Sequence, residues 1–344
     1  MKIEEGIKLD YQDVLIRPKR STLGSRSEVN LERTFTFCHS KRVWTGIPII
    51  AANMDTTGTI ETCRVLQKYK IITCLHKFYN PEDIPEDLDK NYYMISTGIG
   101  EKDWIKLQKC VAVLQPYFVC IDVANGYSTK LLEFVKKTRQ QYPNITLVAG
   151  NIVTREMVEE LCINGGIDIC KIGIGPGSVC TTRIQTGVGY PQLSAVIECS
   201  DASHGINTHI IADGGIKCAG DIAKAFGGGA DFVMCGSIFA GHDESGGDLV
   251  TIGDTQYKIF YGMSSAKAMN KHYGGVAKYR SAEGKMVKIP HRGPLEDTVQ
   301  SLLGGIRSTL TYVGAKRLKD LSKCTTFIKV SRQVNNIYSG AQYQ

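Results

Sequence analysis

Eight short apolar runs rich in β-branched residues recur along the chain, at 48–54, 71–76, 92–97, 118–124, 146–151, 167–173, 209–215 and 230–237. They are continuous rather than alternating, the pattern of parallel strands buried on both faces. Amphipathic stretches lie between several of them. At 128–142, Leu131, Leu132, Phe134 and Val135 fall among lysines. At 154–163, Thr154 stands where it would cap a helix start, with Glu156 in the first turn; 219–226 runs into Gly227-Gly228-Gly229, a helix stop. Eight strands alternating with helices predict a (β/α)8 TIM barrel. The barrel would span 48–321 of a single domain covering residues 1–344, with 1–47 as a hairpin-like N-terminal cap and 322–344 as a C-terminal tail. A doubly wound sheet would be marked by a GxGxxG turn after the first strand, and none follows it. Two stretches break the repeat, 175–196 and 241–294. Both read as long irregular loops of the kind that cover barrel active sites.

Composition narrows the function classes. A hydrophobic share of 42% and a charged share of 22% are globular values and exclude a disordered or fibrous chain. No run approaches the ~20 apolar residues of a membrane helix. The start, Met1 to Asp10, lacks a secretory apolar core, so a cytoplasmic location is expected. Lys and Arg number 41 against 34 Asp and Glu, a net charge of +7 that suits anionic small molecules. The densest basic stretch, Arg17-Pro18-Lys19-Arg20, is too short to read as a nucleic-acid arm. The 12 cysteines include no CxxC pair and the 7 histidines no HExxH, so neither a zinc site nor a dithiol centre is expected.

Barrel chemistry sits at the C-terminal strand ends, and here those ends are polar. They carry Asn53 and Asp55, His76-Lys77, Ser96-Thr97, Asp122, Gly150-Asn151, Asp213-Gly214-Gly215 and Gly236-Ser237. In this fold the last two loops commonly hold a phosphate, and glycines there let backbone N–H groups approach its oxygens. The same glycines also serve plain tight turns. Among the cysteines Cys180 stands apart, in the Gly-rich stretch Gly173-Ile174-Gly175-Pro176-Gly177-Ser178-Val179-Cys180-Thr181-Thr182-Arg183. Such a loop leaves a thiol accessible, and Arg183 is a cation placed to favour its thiolate. Thr182 is a candidate proton carrier, Lys77 a candidate phosphate or carbonyl contact. Asp122, at the end of an apolar strand, is a candidate site residue. Glu283 is a candidate acid or base, or simply a solvated loop side chain.

The stretch from Lys171 to Arg183 resembles the active-site loop of the IMP dehydrogenase/GMP reductase family. Ile50-Ala51-Ala52-Asn53-Met54-Asp55, Ile211-Ala212-Asp213-Gly214-Gly215 and Tyr261-Gly262-Met263-Ser264 are similar to family motifs too. The resemblance runs from Asp13-Val14-Leu15-Ile16-Arg17-Pro18 to Thr325-Thr326-Phe327. Dehydrogenases of the family carry a paired-CBS insertion after the second strand, whereas here His76 leads straight to the third. Their long flap also has no room between Ser264 and Glu283, and 274–285 resembles the reductase loop instead.

The resemblance therefore implies the reductase activity: NADPH-dependent conversion of GMP to IMP and ammonia, within purine interconversion and salvage. Cys180 would form a thioimidate at purine C2, with Thr182 and Glu283 as acid–base relay. Asp213, Gly214, Gly215, Gly236, Ser237, Gly262, Met263 and Ser264 would meet the phosphate and ribose. Arg280, Ser281, Ala282 and Gly284 would meet the base. NADPH would contact Lys77, Asp122, Val123, Ala124, Ile174, Gly175, Tyr279, Ser308, Thr309, Leu310 and Thr311. Ser25 and Arg26 would reach it from a neighbouring subunit of a homotetramer. K⁺ would bind at Gly175, Gly177 and Cys180, near Arg183. A dehydrogenase lacking the insertion, or a silent nucleotide binder on the same barrel, are the alternatives.

Overall fold

The structure, a computed structural model, describes residues 3–276, 279 and 281–331. Eight parallel strands close into a barrel: β1 (Ile49–Ala51), β2 (Ile72–Leu75), β3 (Tyr93–Thr97), β4 (Phe118–Asp122), β5 (Thr146–Ile152), β6 (Ile169–Ile172), β7 (His209–Asp213) and β8 (Phe232–Cys235). Met234 of β8 pairs with Ile50 of β1 and completes the ring. Each strand is the centre of one expected run. The fold is the (β/α)8 barrel that their continuity implied. Successive side chains face opposite sides of the sheet. Ile50, Ile72, Met94, Phe118, Val148 and Ile211 accordingly fill the interior, while Ile49, Leu75, Val119 and Leu147 pack under the helices.

The N-terminal segment forms an antiparallel hairpin of Arg33–Thr36 and Val43–Gly46. It plugs the lower mouth of the barrel with aromatic rings. Phe35 stacks on Phe232 at 4.5 Å, and Phe37 meets Phe118 edge-on at 5.8 Å. Buried Asp168, in the turn before β6, fastens the hairpin end. It accepts the His39 N–H at 2.8 Å and a 2.7 Å ion pair from Arg139. Further up the chain, strand Val14–Ile16 pairs with Phe327–Lys329 and ties the two ends together.

Two local expectations need correction. The 154–163 stretch is helical as expected, but only Arg155–Glu159 is an α-helix, and it continues as a π-helix, Glu160–Asn164. Thr154 sits at the cap position, but its hydroxyl accepts the Tyr127 O–H instead of a backbone N–H. Neither long stretch is wholly irregular: 175–196 carries the helix Thr182–Thr186 and the start of the helix Gln192–Gly205, and 241–294 is more ordered still. The latter holds a three-stranded antiparallel sheet, Leu249–Ile252, Thr255–Tyr261 and Met286–Pro290. Gly253-Asp254 makes the two-residue turn, with Gly253 at φ +60°. Only the Ile259–Tyr261 end of the central strand is buried, which is why no clean alternation marks it.

Candidate active site

Cys180 lies on the loop after β6. Gly173 at φ +149° and Gly175 at φ +82° take backbone conformations that a side chain resists, and they swing the loop back over the barrel mouth. Cys180 N–H donates to the Gly177 carbonyl at 3.1 Å, closing a tight turn. Glu283 arrives from a distant segment by main-chain pairing. Thr181 N–H donates to the Glu283 carbonyl at 2.9 Å, and Lys285 N–H to the Val179 carbonyl at 2.9 Å. Glu283 N–H in turn donates to Ser264 O at 3.1 Å, so the 283–285 strip is held from both sides. Gly284 is sandwiched there: a Cβ would sit 2.9 Å from the Ser265 nitrogen.

This pairing lines up three side chains. The Cys180 thiol donates to Thr182 Oγ1 at 3.2 Å, and the Thr182 hydroxyl donates to Glu283 Oε2 at 2.7 Å. The chain of donors runs one way, from sulfur to carboxylate. It can therefore carry a proton off the thiol and return one to a group bound beside it.

The relay borders a cleft of about 260 Å³ at the C-terminal end of the barrel. Asp122, Val123, Ala124, Ile174, Gly175, Gly177 and Asp213 line it, together with Gly262, Met263 and Ser264. On the far side of Thr182 and Glu283 opens a more apolar recess of about 370 Å³, walled by Tyr127, Val153 and Val188. Ala124 and Ile174 belong to both spaces.

The sequence assigned no role to Lys171, which forms the cleft floor with Asp122 and Asp213. Lys171, in the middle of β6 and 4% exposed, pairs with Asp122 at 2.8 Å and Asp213 at 2.7 Å. Burial works against its charge, but the two carboxylates prevail and push its pKa well above the ordinary lysine value. Burial likewise opposes the Asp122 charge, and Lys171 outweighs it, holding that carboxyl below its usual value. Asn53 donates to Asp122 at 2.8 Å, and Asn151 donates to Asp213 at 2.9 Å and to Gly173 O at 2.6 Å. A lysine inside the apolar run Ile169-Cys170-Lys171-Ile172 was the legible signal. A charge in a doubly buried strand needs partners.

Other expected residues fall elsewhere. Gly214 and Gly215, at φ +89° and +79°, pack against Pro176 of the Cys180 loop. Gly236 abuts Met54, and the Ser237 carbonyl accepts Arg292 at 3.1 Å. These four adjoin the cleft without lining it. Arg183 does not serve the thiol. Its guanidinium pairs with Asp10 at 3.1 Å and donates to Tyr190 O at 2.6 Å, because its stem lies flat over Gly175 and Gly189. Lys77 sits at the rim of a separate recess, 3.6 Å from Asp103.

Ser25 and Arg26 lie by a 3-10 turn, Arg26–Glu28, packed on the helix Leu295–Val313 and away from the cleft. On that helix the Ser308, Thr309 and Thr311 hydroxyls donate to their own helix's carbonyls. The Leu310 side chain is fully buried in the core, which leaves only its backbone for any ligand. Ser281 donates to Gln185, Ala282 is half-buried beside Glu283, and Tyr279 is 89% exposed. Arg280 lies outside the described residues, as do Ala277 and Lys278.

The family profile described as "IMP dehydrogenase / GMP reductase domain" matches residues 8–336, nearly the whole chain. The chain belongs to the IMP dehydrogenase/GMP reductase family. Its similar relatives within that family carry the reductase name. It is 56% identical over 346 residues to GMP reductase 2 of Mus musculus, covering 99% of each chain. To GMP reductase of Salmonella typhi it is 57% identical over 347 residues, covering 98% of this chain and 99% of that one. To GMP reductase of Phytophthora infestans it is 56% identical over 346 residues, covering 99% and 95%. The Cys180 loop, the strip at Glu283 and the cleft between them all lie inside the span shared with the family. Among the described residues, no helix is long and apolar enough to cross a membrane.

Proposed function

We propose that this chain is a GMP reductase, a cytoplasmic homotetramer that converts GMP, NADPH and a proton into IMP, ammonia and NADP⁺ in purine salvage. The observation that carries the reading is the hydrogen-bonded series Cys180–Thr182–Glu283 at the edge of the cleft. The Cys180 sulfur attacks purine C2 while its proton passes through Thr182 to Glu283. Glu283 and Thr182 return that proton to the C2 amino group, which departs as ammonia and leaves a thioimidate on Cys180. An amine leaves poorly without such protonation, so the relay is the centre of the chemistry. A reduced nicotinamide cofactor held near Val123, Ala124, Ile174 and Gly175 would supply the hydride that C2 takes up. The C2–S bond then breaks, IMP is released, and the sulfur takes a proton from solvent.

The ligand sites are assigned by the resemblance to the family's motifs. The phosphate and ribose lie toward Asp213, Gly214, Gly215, Gly236, Ser237 and the 262–264 turn, and the base toward Ala282 and Gly284. The nicotinamide suits the wall shared with the apolar recess, at Val123, Ala124, Ile174 and Gly175. Its adenosine end would reach Ser25, Arg26 and the 308–311 stretch across a subunit boundary, since one subunit keeps these apart from the cleft. Among the described residues no three His, Cys, Asp or Glu side chains gather as a metal site. A K⁺ ion would depend on the carbonyls of Gly175, Gly177 and Cys180, on a loop already bent by glycines. Hard oxygen donors without charge suit a large monovalent cation.

The decisive assay follows NADPH absorbance with GMP in K⁺ buffer and titrates ammonia in parallel. Equal loss of NADPH and gain of ammonia supports the reductase. No change with GMP, but NADH formation from IMP and NAD⁺, would replace it with a dehydrogenase. Silence in both would leave a non-catalytic nucleotide binder.

A further inference from the structure

Asp213 presents an unusual face to the cleft. Its Oδ2 is engaged twice, by Lys171 Nζ at 2.7 Å and Asn151 Nδ2 at 2.9 Å. Its main-chain carbonyl accepts the Gln192 amide at 3.2 Å. Its Oδ1 has no hydrogen-bond partner among the described residues and is not sealed from solvent. The carboxylate is therefore pinned by one oxygen and offers the other to the cleft. It lines the same cleft as Cys180, where the base would react, and directly precedes the Gly214–Gly215 turn, where the proposed reading puts the phosphate. The group that spans that interval in a nucleotide is the sugar, and a free carboxylate oxygen matches hydroxyl donors. Lys171 holds this arrangement through one ammonium shared by Asp213 and Asp122, with its side chain 4% exposed.

We propose that Lys171 sets the preference of this cleft for ribonucleotides over 2′-deoxyribonucleotides, by clamping Asp213 so that its open oxygen meets the ribose hydroxyls. This rests on the reading of the cleft as a GMP site. Lys171 itself touches no ligand; it is a positioning residue. A site built to hydrogen-bond a hydroxyl rejects the analogue that lacks it, because the buried acceptor is left unpaired. That rejection requires the acceptor to stay where it is. Without the ammonium, Asp213 keeps only Asn151 and stands beside a second, half-buried carboxylate, Asp122, that repels it. It then turns away, and the 2′-hydroxyl loses its partner.

The test is the dissociation constant of GMP and of 2′-deoxy-GMP, measured calorimetrically without cofactor, on the full chain. The unaltered protein should bind GMP about tenfold more tightly than 2′-deoxy-GMP, the worth of one hydrogen bond to a charged group. Lys171→Met should bring that ratio to within about twofold of one, and Lys171→Arg should restore part of it. The doubly altered Lys171→Met, Asp122→Asn chain removes one buried carboxylate with the cation and guards against misfolding; it should also lose the ratio. If either folded variant lost both nucleotides equally, or kept the tenfold ratio, the inference would be overturned while the GMP site stood. If the unaltered protein bound neither nucleotide, the GMP reading itself would fall.

Discussion

At the scale of single residues, the proposed chemistry rests on a sulfur and a carboxylate that are 103 positions apart in sequence, joined by one hydroxyl at 3.2 and 2.7 Å. Cys180→Ser replaces the nucleophile with an alcohol that the same relay cannot ionise at neutral pH. GMP-dependent NADPH oxidation should fall at least about 10³-fold, with the GMP dissociation constant little changed. Glu283→Gln keeps the shape of the relay but cannot hold the proton. Its kcat should drop by about 10²–10⁴-fold with a nearly constant KM, measured by steady-state kinetics. Cys180, Thr182 and the carboxylates were legible as residue types in the sequence. Their roles were less so. Arg183, three residues from Cys180, looked like its electrostatic partner, yet its charge is taken up by Asp10. Proximity in sequence says little about where a long flexible side chain points.

Among elements, the strip 283–285 does the assembling. It pairs by main chain with Val179–Thr181 on one side and the turn after Tyr261 on the other. Gly284 permits that closeness. Gly284→Ala would drive a methyl to 2.9 Å from the Ser265 nitrogen, so the strip must shift and carry Glu283 off Thr182. Turnover should fall sharply while the melting temperature of the barrel moves little, as followed by circular dichroism. At the other end of the barrel, Asp168 bonds the hairpin to β5 through Leu147 N–H at 3.0 Å and to Arg139. Asp168→Ala leaves the Arg139 charge half-buried and unpaired. It should cost about 3–5 kcal/mol, read from urea unfolding midpoints. The sheet at 249–290 was the element that the sequence read as loop. Its turn, Gly253-Asp254 between Ile252 and Thr255, carried the hairpin signal, but a strand exposed along most of its length has no burial to enforce a pattern.

For the molecule as a whole, stability at acid pH has a local source in the recess beside Lys77. His76, at the end of β2, has its Nδ1 buried without a partner and its ring stacked on Tyr79 at 4.0 Å. Burial lowers its pKa from 6.5 to about 4. Between those values the unfolded chain binds a proton that the folded chain refuses, so stability rises with pH across this window. The contribution is complete above pH 6.5 and is lost as pH falls toward 4. His76→Gln should flatten the dependence of the urea midpoint on pH across that range. An unchanged slope would place the acid sensitivity elsewhere.

The sequence by itself determined the barrel and pointed to the end of it where the chemistry is proposed. Eight continuous β-branched runs leave few other folds, and polar residues at their C-terminal ends mark the active mouth. Both signals are local: a strand buried on both faces must be apolar throughout, and the turn that follows must hold whatever is not. Only the tertiary structure decided the partners. Lys171 belongs to Asp122 and Asp213 because β4, β6 and β7 present those side chains at the same end of a closed ring. Glu283 belongs to Thr182 because a glycine lets two remote segments pair. Such contacts come from ring closure and main-chain pairing over long sequence distances, and no window along the chain contains them.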